Sequence, residues 1–299
     1  MTTAAGTLVF GSITQDHVET PGPSLRGELG GSASYFALAA RHFGPVRVVG
    51  AVGRDREEEL RRTLSFADLR DLTVSDQPTY TWHARRDDPG GEATTLRRFQ
   101  GAYEGYRPAL TATEPVGAAF LASFDPEAQL AVVSQLPAGT LVGGDTMDIF
   151  IGGQRRAVER MIGAVKLLFL TEAEMEMLAH TRGAAAPTML LDAFPLAAVV
   201  VKRGAAGAVL WTHAGARRLP AWPAEVLDPT GAGDALAGGF MGRLTEIGGL
   251  SAGDLRDPLE WGMVAASFAV EGLGLTRLAE ATRADLEERL AAYRARLSV

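Results

Sequence analysis

Cysteine is absent from all 299 residues, which removes disulfides, thiolate metal sites and thiol nucleophiles together and suits a reducing cytoplasm. Histidine is scarce as well. His17, His42, His83, His180 and His213 show no His-x-x-x-His or other metal spacing, and only His83 falls in a segment expected to touch substrate. No long apolar run of membrane length occurs, and the N-terminus has no basic stretch leading into an apolar one. Neither membrane spanning nor secretion is expected from that pattern. Positive charge is in deficit, with 29 Lys and Arg against 36 Asp and Glu, for a net charge of −7. That balance, with no basic cluster set opposite aromatic residues, argues against nucleic acid as a partner. Arg54, Arg56, Arg61 and Arg62 are offset by Asp55 and Glu57 to Glu59 and read as a solvated helix face. Also missing is Gly-x-x-x-x-Gly-Lys-Ser/Thr, so the phosphate loop of P-loop nucleotide hydrolases is excluded.

What is present is the material of a sizeable core: 46% hydrophobic and 22% charged residues. No Ser/Gly/Pro-rich linker, repeat or low-complexity tract divides the chain, so one domain over 1–299 is expected. Apolar runs at 7–11, 46–52, 118–123, 139–143, 166–170 and 197–201 alternate with helical patterns at 125–136, 152–164 and 171–180, and 282–297 reads as a closing helix. Such alternation predicts a mainly parallel sheet covered by helices on both faces. Two stretches, 12–29 and 73–106, break the pattern. Within the second, 79–85 looks extended and Pro89, Gly90 and Gly91 look like a hairpin turn. Tyr80 and Trp82, two apart, share one face of such a strand. Sugar stacking accounts for that aromatic pair, and so does packing of one such segment on another across a homodimer.

The run Asp228, Pro229, Thr230, Gly231, Ala232, Gly233, Asp234 carries the most chemistry. Gly231, Ala232 and Gly233 leave little bulk over their amides. From Asp234 the apolar residues Leu236, Phe240, Leu244 and Ile247 recur at helical spacing until Gly248 and Gly249. The small residues therefore sit at a helix N-terminus, where free N–H groups and the helix dipole favour an anion. A carboxylate there repels the same anion, which makes sense if Asp234 takes a proton from a hydroxyl that attacks a phosphate. An ordinary Gly turn capped by Asp234 explains the run equally well on its own.

Taken with other segments, the run resembles the C-terminal signature of the ribokinase-like, or PfkB, family of carbohydrate and nucleoside kinases. Gly11 to Asp16 after the apolar Leu8, Val9 and Phe10, followed by Gly30, Gly31, Ser32 and Ala33, is similar to that family's N-terminal signature. The resemblance implies a three-layer α/β/α fold with a mainly parallel sheet and a small β lid built from the insertions at 12–29 and 73–106. It implies Asp16 and the Gly30/Gly31 pair as acceptor-binding residues; a short carboxylate accepts from two hydroxyls, and paired glycines admit a ligand close to the main chain.

Glu174 matches the Glu of the family's Asn-x-x-Glu element, which holds the nucleotide's Mg2+ through water, although Thr171 stands where Asn is usual. Lys202 replaces a more usual Thr or Ser and is in reach of a phosphate, while Gly204 and Gly207 border the nucleotide, with Thr230 beside the phosphates and 264–274 supplying apolar adenine contacts. A monovalent cation such as K+ near Asp228 and Thr230 is a further family feature. Asp145, which the resemblance implies as a further acceptor contact, ends a strand where many family sugar kinases carry Asp-x-Asn-x-Arg; here the chain reads Asp145, Thr146, Met147, Asp148, Ile149, and the missing Arg counts against an acidic or phosphorylated sugar. Tyr35 stands where ribokinase itself has an Asn that meets its sugar.

The leading expectation is an ATP- and Mg2+-dependent kinase of a small sugar or polyol, with Asp234 as general base and the 231–233 amides as anion hole. A nucleoside or inositol acceptor is the alternative within the family. From another class comes a catalytically silent sugar or nucleotide sensor, against which the retained Asp234 speaks.

Overall fold

The computed structural model describes residues 6–88, 90–91, 93–111 and 116–298. Its strands are β1 (Thr7–Phe10), β2 (Thr14–Glu19), β3 (Leu25–Gly30), β4 (Val46–Gly53), β5 (Asp68–Ser75), β6 (Tyr80–Arg85), β7 (Thr94–Phe99), β8 (Ala118–Leu121), β9 (Leu141–Asp145), β10 (Leu167–Thr171), β11 (Ala198–Lys202), β12 (Ala208–Thr212) and β13 (Gly215–Leu219). Nine form one sheet in the order β13-β12-β11-β10-β9-β8-β1-β4-β5, and four form a second in the order β3-β2-β6-β7. From β11 to β5 every pairing in the large sheet is parallel, while β12 and β13 add an antiparallel hairpin at one edge.

Alternation along the parallel strands builds two cores. Val9, Phe120, Phe169 and Val200 face one side, against the helices Ser32–Ala40, Ala232–Glu246, Arg256–Val270 and Arg283–Leu297. Leu8, Phe10, Leu121, Leu168, Leu170 and Val199 face the other, against Pro126–Val133, Arg155–Gly163, Glu172–Ala179 and Ala185–Ala193. Burial on both faces is why these strands read as unbroken apolar runs rather than as alternating ones. The expected three-layer arrangement is therefore present.

The helix Ala232–Glu246 is seated unusually close to its neighbours. A Cβ on Gly238 would overlap the Phe36 carbonyl of one adjacent helix, and one on Gly239 would lie 2.9 Å from the Trp261 carbonyl of the other. Backbone meets backbone at both contacts, so the start of this helix has a fixed height above the sheet.

Above the strand ends lies the small sheet. Its strands start at Thr14 and Tyr80, because residues 73–75 complete β5 at the edge of the large sheet. Pro89, expected in a turn, lies outside the described residues. The 152–164 pattern divides into Asp148–Gly153 and Arg155–Gly163 at Gln154, after Gly152 and Gly153 weaken helix propagation.

Candidate active site

Three parallel strands end side by side and deliver their last residues to one place. Register pairs Thr171 with Lys202 and Phe169 with Asp145, so Asp145, Thr171 and Lys202 stand together at the carboxyl ends of β9, β10 and β11. That is where open α/β sheets form their crevice. The helix Ala232–Glu246 begins at the same crevice and the small sheet covers it, enclosing a cavity of about 640 Å³. Asp16, Tyr35, Tyr80, Trp82, Asp145, Glu174, Lys202, Thr230, Gly231, Gly233 and Asp234 all line it.

Gly231 is the N-cap residue, at φ 74° and ψ 0°, a left-handed conformation that glycine adopts without strain. A Cβ there would overlap the Tyr35 ring, so the turn and the tyrosine are packed face to face. Ala232's amide turns back to the Pro229 carbonyl at 3.2 Å. The amides of Gly231 and Gly233 have no acceptor among the described residues, which leaves them as the open donors of the expected cradle. Asp234 follows in the first helical turn. Burial, and then the negative charge of Asp145, lift its carboxyl from 3.8 to about 7, against the pull of Lys202.

Lys202 ties the crevice together. Its ammonium donates to Asp145 Oδ2 at 2.5 Å and lies beside the cradle, 3.3 Å from where a Cβ on Gly233 would be. Burial works against that charge, but Asp145 and Glu174 outweigh it and hold the ammonium protonated above its ordinary range. Asp145's other oxygen accepts from the Thr146 amide at 2.7 Å, so both its oxygens are engaged within the protein. Glu174 closes a capping box with Thr171: Glu174 Oε2 accepts from the Thr171 amide at 2.7 Å, and Thr171 Oγ1 accepts from the Glu174 amide at 3.2 Å. Burial pushes the Glu174 carboxyl upward, opposed by Lys202.

On the lid side, Asp16 is 3% exposed and its Oδ1 has no partner among the described residues. Burial, reinforced by Asp228, raises its carboxyl to about 7. Gly30 lies directly against it, since a Cβ there would overlap Asp16 Oδ2. The Tyr35 hydroxyl is likewise buried without a partner, and burial followed by Asp16, Asp228 and Asp234 drives its pKa well above the ordinary value. Unsatisfied buried groups converging on a cavity are what a polyhydroxylated ligand would satisfy. Tyr80 and Trp82 both line the cavity, on the face expected from their spacing. His83 does not. It points to the outer face of the lid, stacked on His17 with ring centroids 4.3 Å apart, because alternation puts it opposite Trp82.

Five expected residues lie behind the cavity wall or away from it. Gly30, Ala232 and Thr171 shape the wall as just described, while Gly204 starts a short 3-10 turn and Gly207 packs its backbone against Leu219 and Pro220. In the 264–274 segment, Val264, Ala265, Phe268 and Ala269 are core residues rather than cavity lining. Several supporting residues had no sequence signal. Tyr103 Oη accepts from the Ile13 amide at 2.8 Å and the Ala51 amide at 3.1 Å and donates to the Gly11 carbonyl at 2.9 Å, fixing the entry to the lid. Buried Gln129 donates to the carbonyls of Leu121, Ala122 and Asp145 and pins the ends of β8 and β9. Arg98, Arg107 and Gln154 also line the cavity.

A mainly parallel sheet between helix layers, with a small sheet over its strand ends, is the ribokinase-like architecture. The model of the pfkB family of carbohydrate kinases matches residues 8–282, and the chain belongs to that family. A cytidine kinase of Thermococcus kodakarensis is 32% identical over 92 residues; the match spans 29% of this chain and 32% of that relative's length. The nucleoside kinase of Methanocaldococcus jannaschii, an archaeal member of the ribokinase family, superposes with a TM-score of 0.78 at 22% identity, covering 96% of this chain and 98% of that one. A fructokinase double mutant from Vibrio cholerae, solved with fructose, ADP and potassium ion, gives a TM-score of 0.79 at 19% identity, covering 96% and 99%. These structural likenesses establish the fold.

Proposed function

We infer that this chain transfers the γ-phosphoryl group of ATP to a hydroxyl of a small sugar or related polyol. The observation that carries the reading is the placement of Asp234. A carboxyl held near neutrality opens the same helix turn as the two free cradle amides, in a cavity that also presents Asp16. Asp16 and the Gly30/Gly31 turn receive the acceptor's hydroxyls, and Asp234 accepts the proton of the attacking one. The Gly231 and Gly233 amides, with the Lys202 ammonium beside them, face the charge that builds on the transferred group. Asp145 serves as the counter-ion that keeps Lys202 in place.

No set of three or more His, Asp or Glu side chains able to cage a metal occurs among the described residues. Glu174, which lines the cavity with one oxygen committed to its cap, fits a Mg2+ held mainly by nucleotide phosphates and water. When bound, that ion would neutralise phosphate charge. A nucleoside acceptor is the second reading. It is favoured by the aromatic wall of Tyr80, Trp82, Tyr106 and Phe150, which offers ring faces to a base. A homodimer through the outer lid face, where Phe99 is 48% exposed, and a cytoplasmic location belong to the same proposal; light scattering that shows only monomer would remove the dimer.

The test is a thermal-shift screen of sugars, polyols and nucleosides, followed by ADP release with each hit, for the wild type and D234N. A fall in kcat of about 10³-fold with acceptor binding retained is expected for D234N. Undiminished turnover would remove Asp234 as the base, and binding without any ADP release in the wild type would favour the silent sensor.

A further inference from the structure

One guanidinium joins the lid to the phosphate cradle. Arg86 directly follows β6, and its side chain is 5% exposed. Its Nη2 donates to Thr230 Oγ1 at 3.1 Å and lies 3.6 Å from Asp228 Oδ1, while Nη1 donates to the Gly91 carbonyl. Its backbone amide donates to the Glu19 carbonyl at 2.8 Å, fastening the end of β6 to the end of β2. Asp228 Oδ1 accepts in addition from the Thr230 amide at 3.0 Å and from Thr230 Oγ1 at 2.6 Å. Asp228 and Thr230 thus form a tight turn immediately before Gly231, and the lid's guanidinium closes it. Removing one partner of such a buried pair leaves the other charge uncompensated.

These are the two side chains at which the family resemblance implies a monovalent cation. Asp228 Oδ1 and Thr230 Oγ1, two oxygens such an ion would use, already engage a fixed cation of the protein's own, while Asp228 Oδ2 is buried with no hydrogen-bond partner among the described residues. The geometry points to Arg86 as a positioning residue that supplies this charge from the lid, so that cradle and lid are held together and phosphoryl transfer does not depend on a monovalent cation. The inference rests on the kinase reading for its second half only. Arg86 does not line the cavity and touches no reacting atom; it acts by fixing the turn that sets Gly231 in its left-handed conformation. It also offsets Asp228, whose charge otherwise bears on Asp16.

The experiment compares wild type, R86K and R86A. Turnover is measured on an acceptor found by the screen, in potassium chloride and in choline chloride at equal ionic strength. Backbone amide exchange over β2 and β6 is followed on the ligand-free full chain. Wild-type kcat should agree within about twofold between the salts, and R86K should keep most of it. R86A should lose at least about tenfold in kcat with a smaller change in KM, and recover part of it on addition of guanidinium or potassium. Its lid strands should exchange at least about tenfold faster while β10 and β11 are unchanged. A wild-type kcat that rises about tenfold in potassium overturns the proposal, as does an R86A protein with wild-type kcat and exchange. If R86A does not fold, the wild-type salt comparison and R86K still decide. If no acceptor is phosphorylated, the kinase reading fails, and the exchange data alone decide whether Arg86 latches the lid.

Discussion

A group that removes a proton at neutral pH has to be short of water and still able to ionise, and Asp234 meets both conditions. Its acid form dominates below about 7, so kcat is expected to fall by about tenfold per pH unit on the acid side of that value. In kcat/KM the acid limb should be steeper, approaching two protons, because Asp16 in the free protein also titrates near 7. Lys202 pulls Asp234 downward, so the K202M variant should shift the acid limb of kcat to higher pH; a pH–rate profile checks both, and an unmoved limb contradicts the role given to Lys202. The carboxylates at 16 and 234 were legible in the sequence because Asp234 directly follows the small run Gly231 to Gly233, and Asp16 sits in the segment similar to the family's N-terminal signature. In the sequence Lys202 stands out only for its reach to a phosphate, and neither its pairing with Asp145 nor the place of Arg86 was legible. Lys202 meets a residue 57 positions away and Arg86 one 144 positions away, and neither residue type announces burial.

At the scale of elements, the helix Ala232–Glu246 sets the geometry of transfer, and it does so through Gly238 and Gly239. A side chain at Gly238 has no room against Phe36, so G238A should force the helix outward and cost about 1–3 kcal/mol of stability. Denaturant unfolding measures that loss, and kcat should fall with it because Asp234 moves with the helix. The six apolar runs read from the sequence all became strands of the large sheet, displaced by a residue or two. Doubly buried parallel strands have no competing polar face to blur them. The hairpin of β12 and β13 was missed because β13 reads Gly-Ala-Arg-Arg-Leu, an exposed edge with little apolar signal. The 264–274 segment is expected to supply apolar adenine contacts, whereas Val264, Ala265, Phe268 and Ala269 at its start belong to the helix Arg256–Val270 and fill the core between Ala232–Glu246 and Arg283–Leu297; composition alone does not say which way such a face turns.

The whole molecule carries the cost of its site. Asp16 and Asp234 have folded pKa values near 7, well above the 3.8 of a free side chain, so the folded state binds protons that the unfolded chain releases. The stability they contribute is full below about pH 4 and is lost as the pH rises through 7. D234N should therefore raise the Tm of the ligand-free protein at pH 8, with a gain that shrinks toward pH 5; an equal gain at both pH values would contradict the raised carboxyl. The same two carboxyls make ligand binding a proton-exchange event. An acceptor hydroxyl donating to Asp16 favours its anion, so acceptor binding should release a proton, while nucleotide phosphate beside Asp234 favours its acid and should take one up. In a calorimeter the heat of each step should then vary with the ionisation enthalpy of the buffer, with opposite slopes for the two ligands.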